Sequence, residues 1–503
     1  MSTVESPHAL RGPVLGPPPP RPAATGSRVV RLLLTGAAIV LVMAVATRQP
    51  TIALAISIGL SGAIVCAVRP AAAVVGAFFV SGAIGSLIAF TPLSPLQISR
   101  LADLILLGLW LGVTAAFLSG RGNRSPWLWP GVLAPALYLG LTGLQVFLTD
   151  PLSLGVDSFN AAAWYMLALV LIAIAPWSSE THVRIARGVV LIALAVGAYA
   201  CFRLATGPTA AETAVAHGAQ PGIQPWVTPR FFGSFMSANQ LAAWAASLIP
   251  FCLALTLAWR GRWRLAPALA IPMLMIGLLA SEIRTGVVAV VAGITLTLAL
   301  FQFSRAFRGR SAAAAIAFLI VAVIGTGAFA VTIGGSGAKE ARYSRLLAPG
   351  QDPAFEVRLQ GWKVAVHDMS EHPWGHGLGT AGFVAQTENP YNVAGPVFLD
   401  NSYLKVGLEQ GIVMMLLYVM ALVILLLGLA RRAMLIRDPW RASLAIGACG
   451  TLAALITLFL TGLYSEGMPI VAAWMLVGLG VAQVKVGPRR DPGWASMPSP
   501  PGA

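Results

Sequence analysis

The sequence predicts an all-α polytopic integral membrane protein, with about 12–14 transmembrane helices and one large extracytoplasmic loop containing short helices. Three observations predict it. Of 503 residues, 57% are hydrophobic and only 10% charged. The mean hydropathy is +0.79. Apolar stretches near the ~20 residues that cross a bilayer recur along the chain. A water-soluble protein is about a quarter charged, so this chain lacks the polar surface to face water all round. A cytosolic enzyme, a disordered scaffold and a disulfide-rich secreted module are excluded. Cys66, Cys201, Cys252 and Cys449 lie in apolar runs without metal-ligand spacing.

Residues 1–28, rich in Pro, Arg and Gly, read as a disordered cytoplasmic tail, and 485–503 as a second one. Between them stand fourteen candidate spans, near 29–46, 51–68, 71–90, 101–118, 127–148, 160–175, 184–203, 236–258, 265–281, 285–303, 312–334, 402–429, 442–461 and 467–484. They divide into an N-terminal bundle, 29–334, and a C-terminal group, 402–484. Two long outer connections interrupt them, 204–235 within the bundle and 335–401 between the groups.

The formal net charge of +15 would suggest nucleic acid in a soluble chain. Here it sorts by side. With the N-terminus inside, cytoplasmic segments hold 22 basic and 4 acidic residues, whereas the outer segments hold 11 and 12. That asymmetry is the positive-inside rule, and it places both termini in the cytoplasm. Trp127, Trp129, Trp177, Trp259, Trp263 and Trp440 fall at cytoplasmic span ends, as an interfacial belt does.

Most side chains capable of chemistry are thereby extracytoplasmic. The loop 204–235 is rich in Gly and Pro and ends at Arg230. In 335–401, Phe355, Leu359, Trp362, Val366 and Met369 recur with helical period. Such a helix suits a membrane surface or the mouth of a cavity. No nucleotide pool exists on that side, so an enzyme there needs a substrate activated beforehand, such as a lipid pyrophosphate. Fixed arginines stabilise the polyanion that such a donor releases. The outer loops carry no DxD-like pair, so neither a metal nor another cofactor is expected.

Four stretches, in order, resemble the O-antigen ligase and polymerase family. Arg230-Phe-Phe-Gly-Ser-Phe-Met-Ser-Ala-Asn239-Gln-Leu-Ala242 looks like G-x-F-x-x-x-N-x-L-A. Ser281-Glu282-Ile283-Arg284-Thr285-Gly286 looks like S-x-S-R-G, with Glu282 extra. Arg358 and Trp362, followed by His372-Pro-Trp-Gly-His376-Gly-Leu-Gly379, look like R-x-x-x-W…H-P-x-x-G-x-G. Asp400-Asn401-Ser402-Tyr403-Leu404…Glu409-Gln410-Gly411 looks like H-N-x-Y-L-x-x-x-x-E-x-G. The likeness covers about 230–430.

The resemblance implies a GT-C-type membrane glycosyltransferase of the bacterial inner membrane, working on the extracytoplasmic side without metal. It would move a glycan from an undecaprenyl-pyrophosphate carrier to an acceptor hydroxyl of a glycan or glycolipid during envelope polysaccharide assembly. Its partners would be that donor, that acceptor, the bilayer and other envelope-assembly proteins, with no nucleic acid. Arg230 and Arg284 match the family's pyrophosphate-contacting arginines. Asp400 stands where the ligase branch has a His that activates the acceptor, and an Asp can also take a proton. Polymerase-like and ligase-like readings therefore both stand. Arg358, Asn239, Asn401, His372 and His376 are the candidate substrate contacts.

Each has a plainer role beside it. Arg230 and Arg284 can anchor helix ends, Asp400 can cap the helix from Ser402, and His372 and His376 can stabilise a turn. Asn239 can bridge helices. Lys405 and Glu409, spaced i,i+4, suit an intramembrane ion pair. A lipid-glycan flippase and a non-catalytic envelope scaffold are the competing functions, although the halves show no repeat of the transporter kind.

Overall fold

A computed structural model describes residues 69–91, 95–118, 129–218, 230–307, 353–382, 400–462, 467 and 469–484. The chain divides into two compact units, Met1–Leu60 and Ser61–Ala503, and every described residue lies in the second. The expected spans 29–46, 51–68 and 312–334 and both tails fall outside the described residues.

The described residues are all-α, with no strand. In chain order the helices are α1 Pro70–Phe90, α2 Pro95–Leu118, α3 Pro130–Val146, α4 Leu152–Ile174, α5 Ser179–Thr206, α6 Ala210–Gly218 and α7 Ala238–Ala258. They continue with α8 Leu265–Ala280, α9 Arg284–Phe303, α10 Pro353–Glu371, α11 Ser402–Gln410, α12 Ile412–Ala433, α13 Pro439–Phe459 and α14 Pro469–Val481. Among them, seven are long and apolar enough to cross a membrane, or eight if the bent α4 counts as one span.

Local sequence sets the helix ends. Pro70, Pro130 and Pro439 occupy first turns, where the missing N–H costs nothing. Ser237 accepts from the Gln240 amide at 3.3 Å while Gln240 accepts from the Met236 amide at 3.1 Å, so α7 starts on reciprocal caps. Arg431 and Arg432 close α12, where positive charge suits the negative end of the helix dipole.

Two helices form the centre. Within its most apolar window α7 is 89% buried and α13 83%, against 33% for α12. α7 is rich in Ala and α13 in Ala and Gly, and small residues are what lets helix backbones approach in lipid. A Cβ on Gly450 would stand 2.1 Å from Thr297 Oγ1 and 2.8 Å from Pro250 Cβ, so α13, α9 and α7 meet there. Thr451 adds a hydrogen bond to the Ser247 carbonyl at 2.7 Å.

These contacts also give direction. Gly447 packs on Phe251 and Ala254, and Gly293 meets Pro250, Gly450 and Ala454. Hence α7 and α9 run parallel and α13 runs antiparallel to both. The start of α9 reaches the start of α7 through Gly286 against Ala242, and the end of α8 through Gly286 against Leu278. At the other end Trp259 stacks on Trp440 at 5.3 Å and touches Trp263 at 6.4 Å. The Arg187 guanidinium lies 4.6 Å over Trp263, and that of Arg432 5.0 Å over Trp129. The bundle therefore has a tryptophan-arginine end and an Arg284 end.

One expectation needs correction, and two elements add detail that the sequence reading lacks. The span 402–429 is two helices, because Gly411 (φ 88°) ends α11 and begins α12. The loop 204–235 contains α6, started by Thr209 and Glu212: the Thr209 amide donates to Glu212 at 2.8 Å and the Glu212 amide to Thr209 Oγ1 at 3.3 Å. In α10 the apolar stripe is divided, with Trp362 and Met369 packed inward beside Ala365. Ala365 and Met369 are buried and Arg358 and Asp368 half-buried, while Phe355, Leu359 and Val366 stay exposed.

Gly450→Ala is expected to lower thermal stability by about 1–3 kcal/mol through overpacking. Gly140→Ala, with nothing within 4 Å of its Cβ, is expected to leave stability unchanged or slightly raised. Melting both variants in detergent tests this.

Candidate active site

The stretch from Arg230 to Ala242 joins the Arg284 end to α1. Ser234 donates to the Gly82 carbonyl at 2.6 Å and accepts, through its own carbonyl, from the amide of Gly85 at 2.9 Å. Phe235, Leu241 and Ala242 are fully buried. These motif residues are accounted for by packing. Arg230 and Asn239, by contrast, are exposed.

The second motif is a tight connection between α8 and α9. Ser281, buried, donates to the Leu278 carbonyl at 2.6 Å and accepts from the Ile283 amide at 3.3 Å. Glu282 takes a left-handed conformation (φ 57°), which costs a non-glycine residue of order 1 kcal/mol. That turn makes Arg284, half-buried, the first residue of α9. The first turn of α9 holds no acidic residue, and a helix N-terminus favours an anion.

The last two motifs interlock. The break at Gly411 leaves the final carbonyls of α11 and the first amides of α12 without helical partners. The turn after α10 supplies them: His376 N–H donates to the Leu408 carbonyl at 2.8 Å and Gly377 N–H to that of Glu409 at 2.9 Å. In return, Ile412 N–H donates to the Pro373 carbonyl at 3.0 Å. Glycine is needed where the strands of chain touch, since a Cβ on Gly375 would lie 2.6 Å from Gly411 N and one on Gly411 2.6 Å from Pro373 O. The Glu409 carboxylate completes the joint. One oxygen accepts from the amides of Gly379 (3.0 Å) and Ala381 (3.3 Å), the other from Lys405 Nζ (2.6 Å). Both ionised side chains are buried, at 3% and 1% exposure.

At the start of α11, Asn401 rather than Asp400 is the cap. Its Oδ1 accepts from the amides of Tyr403 (2.9 Å) and Leu404 (3.0 Å), and its Nδ2 donates to the Leu460 carbonyl (3.1 Å). Ser402 donates to the Gly462 carbonyl at 2.7 Å. The buried Asn401 side chain is thus taken up by the joint between α11 and the end of α13, which is the Arg284 end. Asp400 is left to pair with Arg358, Nε to Oδ2 at 2.8 Å, and both side chains are about one-third exposed. Arg358 therefore reaches Asp400 rather than an acid on its own helix, a contact across 42 residues that helical spacing does not reveal.

His372 and His376 meet at Asp368. His372 Nδ1 lies 3.2 Å from one carboxylate oxygen and His376 Nε2 2.8 Å from the other. Among the described residues, this is the group of ligating side chains close enough to hold a metal ion. Its four-residue spacing, Asp368 in the last turn of α10 followed by His372 and His376, lies in the sequence within the turn motif.

On the loop 204–235, the buried Glu212 accepts from Thr209 and Tyr199 and lies 3.2 Å from Arg203. Burial pushes its carboxyl up, but those donors and the arginine hold it below its ordinary range.

Residues 268–419 match the family model for O-antigen ligase. The match to that family model is confined to this stretch. The match takes in Arg284, Arg358, His372, His376, Asp400 and Glu409, whereas Arg230 and Asn239 lie upstream of it. No curated protein matches the chain. With its apolar helices, the matched stretch makes this a multi-pass membrane protein of glycosyltransferase type.

Glu409→Ala strands Lys405 as a buried charge and is expected to cost about 3–5 kcal/mol. Lys405→Met with Glu409→Gln keeps an acceptor for the Gly379 and Ala381 amides, and should recover much of that loss in the same melting experiment.

Proposed function

We propose that this protein transfers a glycan from a polyprenyl-pyrophosphate donor to an acceptor hydroxyl, on the extracytoplasmic face of a bacterial inner membrane. The observation that carries the proposal is a division within the motifs. Phe235, Leu241, Ser281, Asn401, Glu409 and Gly411 are buried or taken up by joints. The charged Arg230, Arg284, Arg358 and Asp400 face solvent wholly or in part. Their elements all belong to the Arg284 end of the bundle, opposite the tryptophan-arginine end. The positive-inside rule puts the latter in the cytoplasm.

In this reading Arg230 and Arg284 bind the donor pyrophosphate, Arg284 with the help of the α9 N-terminus. The acceptor oxygen attacks the anomeric carbon as the bond from that carbon to the pyrophosphate oxygen breaks. The leaving group takes the electron pair, and the two guanidiniums stabilise its growing charge without a metal. Arg358 holds Asp400 by one oxygen and leaves the other to orient the acceptor hydroxyl. The acceptor proton becomes strongly acidic only as the new carbon–oxygen bond forms, so even a well-solvated carboxylate can take it late in the step. Asn239, exposed in the first turn of α7, is assigned to the glycan; His372 and His376 hold the loop.

Arg230→Ala and Arg284→Ala are each expected to lower turnover of lipid-linked glycan by about 10²–10³-fold at unchanged protein level, the range for loss of one charge-stabilising donor. Asp400→Asn should lower it while leaving donor binding intact. Turnover unchanged in both arginine variants would remove the proposed pyrophosphate site.

A further inference from the structure

We propose that Asp368, His372 and His376 form a binding site for a divalent cation of the zinc class, which fastens the end of α10 to the turn that follows it. The three ligating atoms lie within 4.8 Å of one another. The Asp368 oxygens stand 3.2 Å from His372 Nδ1 and 2.8 Å from His376 Nε2. Ligands bound at about 2.0–2.2 Å in a tetrahedron are separated by roughly 3.3 Å; both Asp368–His distances are already near that value, and the three donor atoms, within 4.8 Å of one another, draw together as the ion binds. The two imidazole rings lie against each other, their centroids 4.4 Å apart.

The donor set selects the metal. Two imidazoles and one carboxylate suit zinc, whereas magnesium and calcium take oxygen ligands. Asp368 and His376 are mostly enclosed, at 19% exposure each, while His372 is 53% exposed. The fourth position therefore opens on the His372 side, where a water completes the shell.

The backbone explains what the ion does. His376 N–H caps the Leu408 carbonyl at the helix break, and Asp368 sits in the last turn of α10. A cation joining the two side chains ties the loop helix to the joint at Gly411. It is no part of the proposed transfer chemistry: Asp368 lies ten residues from Arg358, about 15 Å along the helix.

The test uses the full-length protein in detergent, purified on a tag without histidines and dialysed against zinc chloride at trace free concentration. Metal is counted by mass spectrometry. The wild type is expected to retain one zinc per chain. Asp368→Asn and the double variant His372→Ala/His376→Ala should each lose it while keeping their elution profile. Cobalt substitution should give the visible absorption bands of a four-coordinate nitrogen–oxygen site in the wild type. A wild type without zinc, or zinc kept equally by both variants, would overturn the proposal. This count is independent of glycan turnover, so its failure leaves the transfer reading untouched, and the reverse.

Discussion

A helix that breaks inside a membrane must find partners for every backbone group the break exposes, because lipid offers none. At Gly411 this chain meets that demand with the turn that follows α10. The turn 372–379 donates to the carbonyls that α11 leaves open and accepts from the first amide of α12. Glu409 adds a charge shared between Lys405 and two loop amides. A sequence pattern that looks like separate motifs, H-P-x-x-G-x-G and E-x-G, is one joint. Among the described residues, α10, which carries Arg358 to Asp400, is fastened to the bundle through that joint.

The same reasoning separates residues that build the end of the bundle from residues that can act there. Glycines, small residues and buried hydroxyls bring α1, α7, α9 and α13 to close contact, and the buried Asn401 sews α11 to α13. Among the described residues at the Arg284 end, Arg230, Arg358 and Asp400 are left facing solvent wholly or in part. The opposite end carries a different chemistry, with arginines lying over tryptophan rings. That pattern suits a headgroup interface rather than a reacting site.

Much of this was legible in the sequence, because membrane helices announce themselves through unbroken hydrophobicity and charge asymmetry. The break at Gly411 was not, since hydropathy averages across a single glycine. Periodicity marks Phe355, Leu359, Trp362, Val366 and Met369 as one stripe of α10 but does not say which of them pack; Trp362 and Met369 do, with Ala365, while Phe355, Leu359 and Val366 stay exposed. Asp400 was read as either base or cap, and only tertiary structure assigns the cap to Asn401. The helix α6 was legible and missed: Thr209 and Glu212 carry its start signal in a stretch dominated by Gly and Pro.

The central claim is that Arg230, Arg358 and Asp400 share one end of the bundle and that this end faces outward. Side-specific labelling tests it most directly. Single cysteines are placed at 230, 358 and 400, and separately at 262 and 437, in a chain whose native cysteines are replaced, and intact cells are exposed to a membrane-impermeant maleimide. The account predicts labelling of the first three positions only, with 262 and 437 reacting after the membrane is opened. Labelling of 262 or 437 in intact cells, or protection of 230, 358 and 400 until lysis, would contradict it.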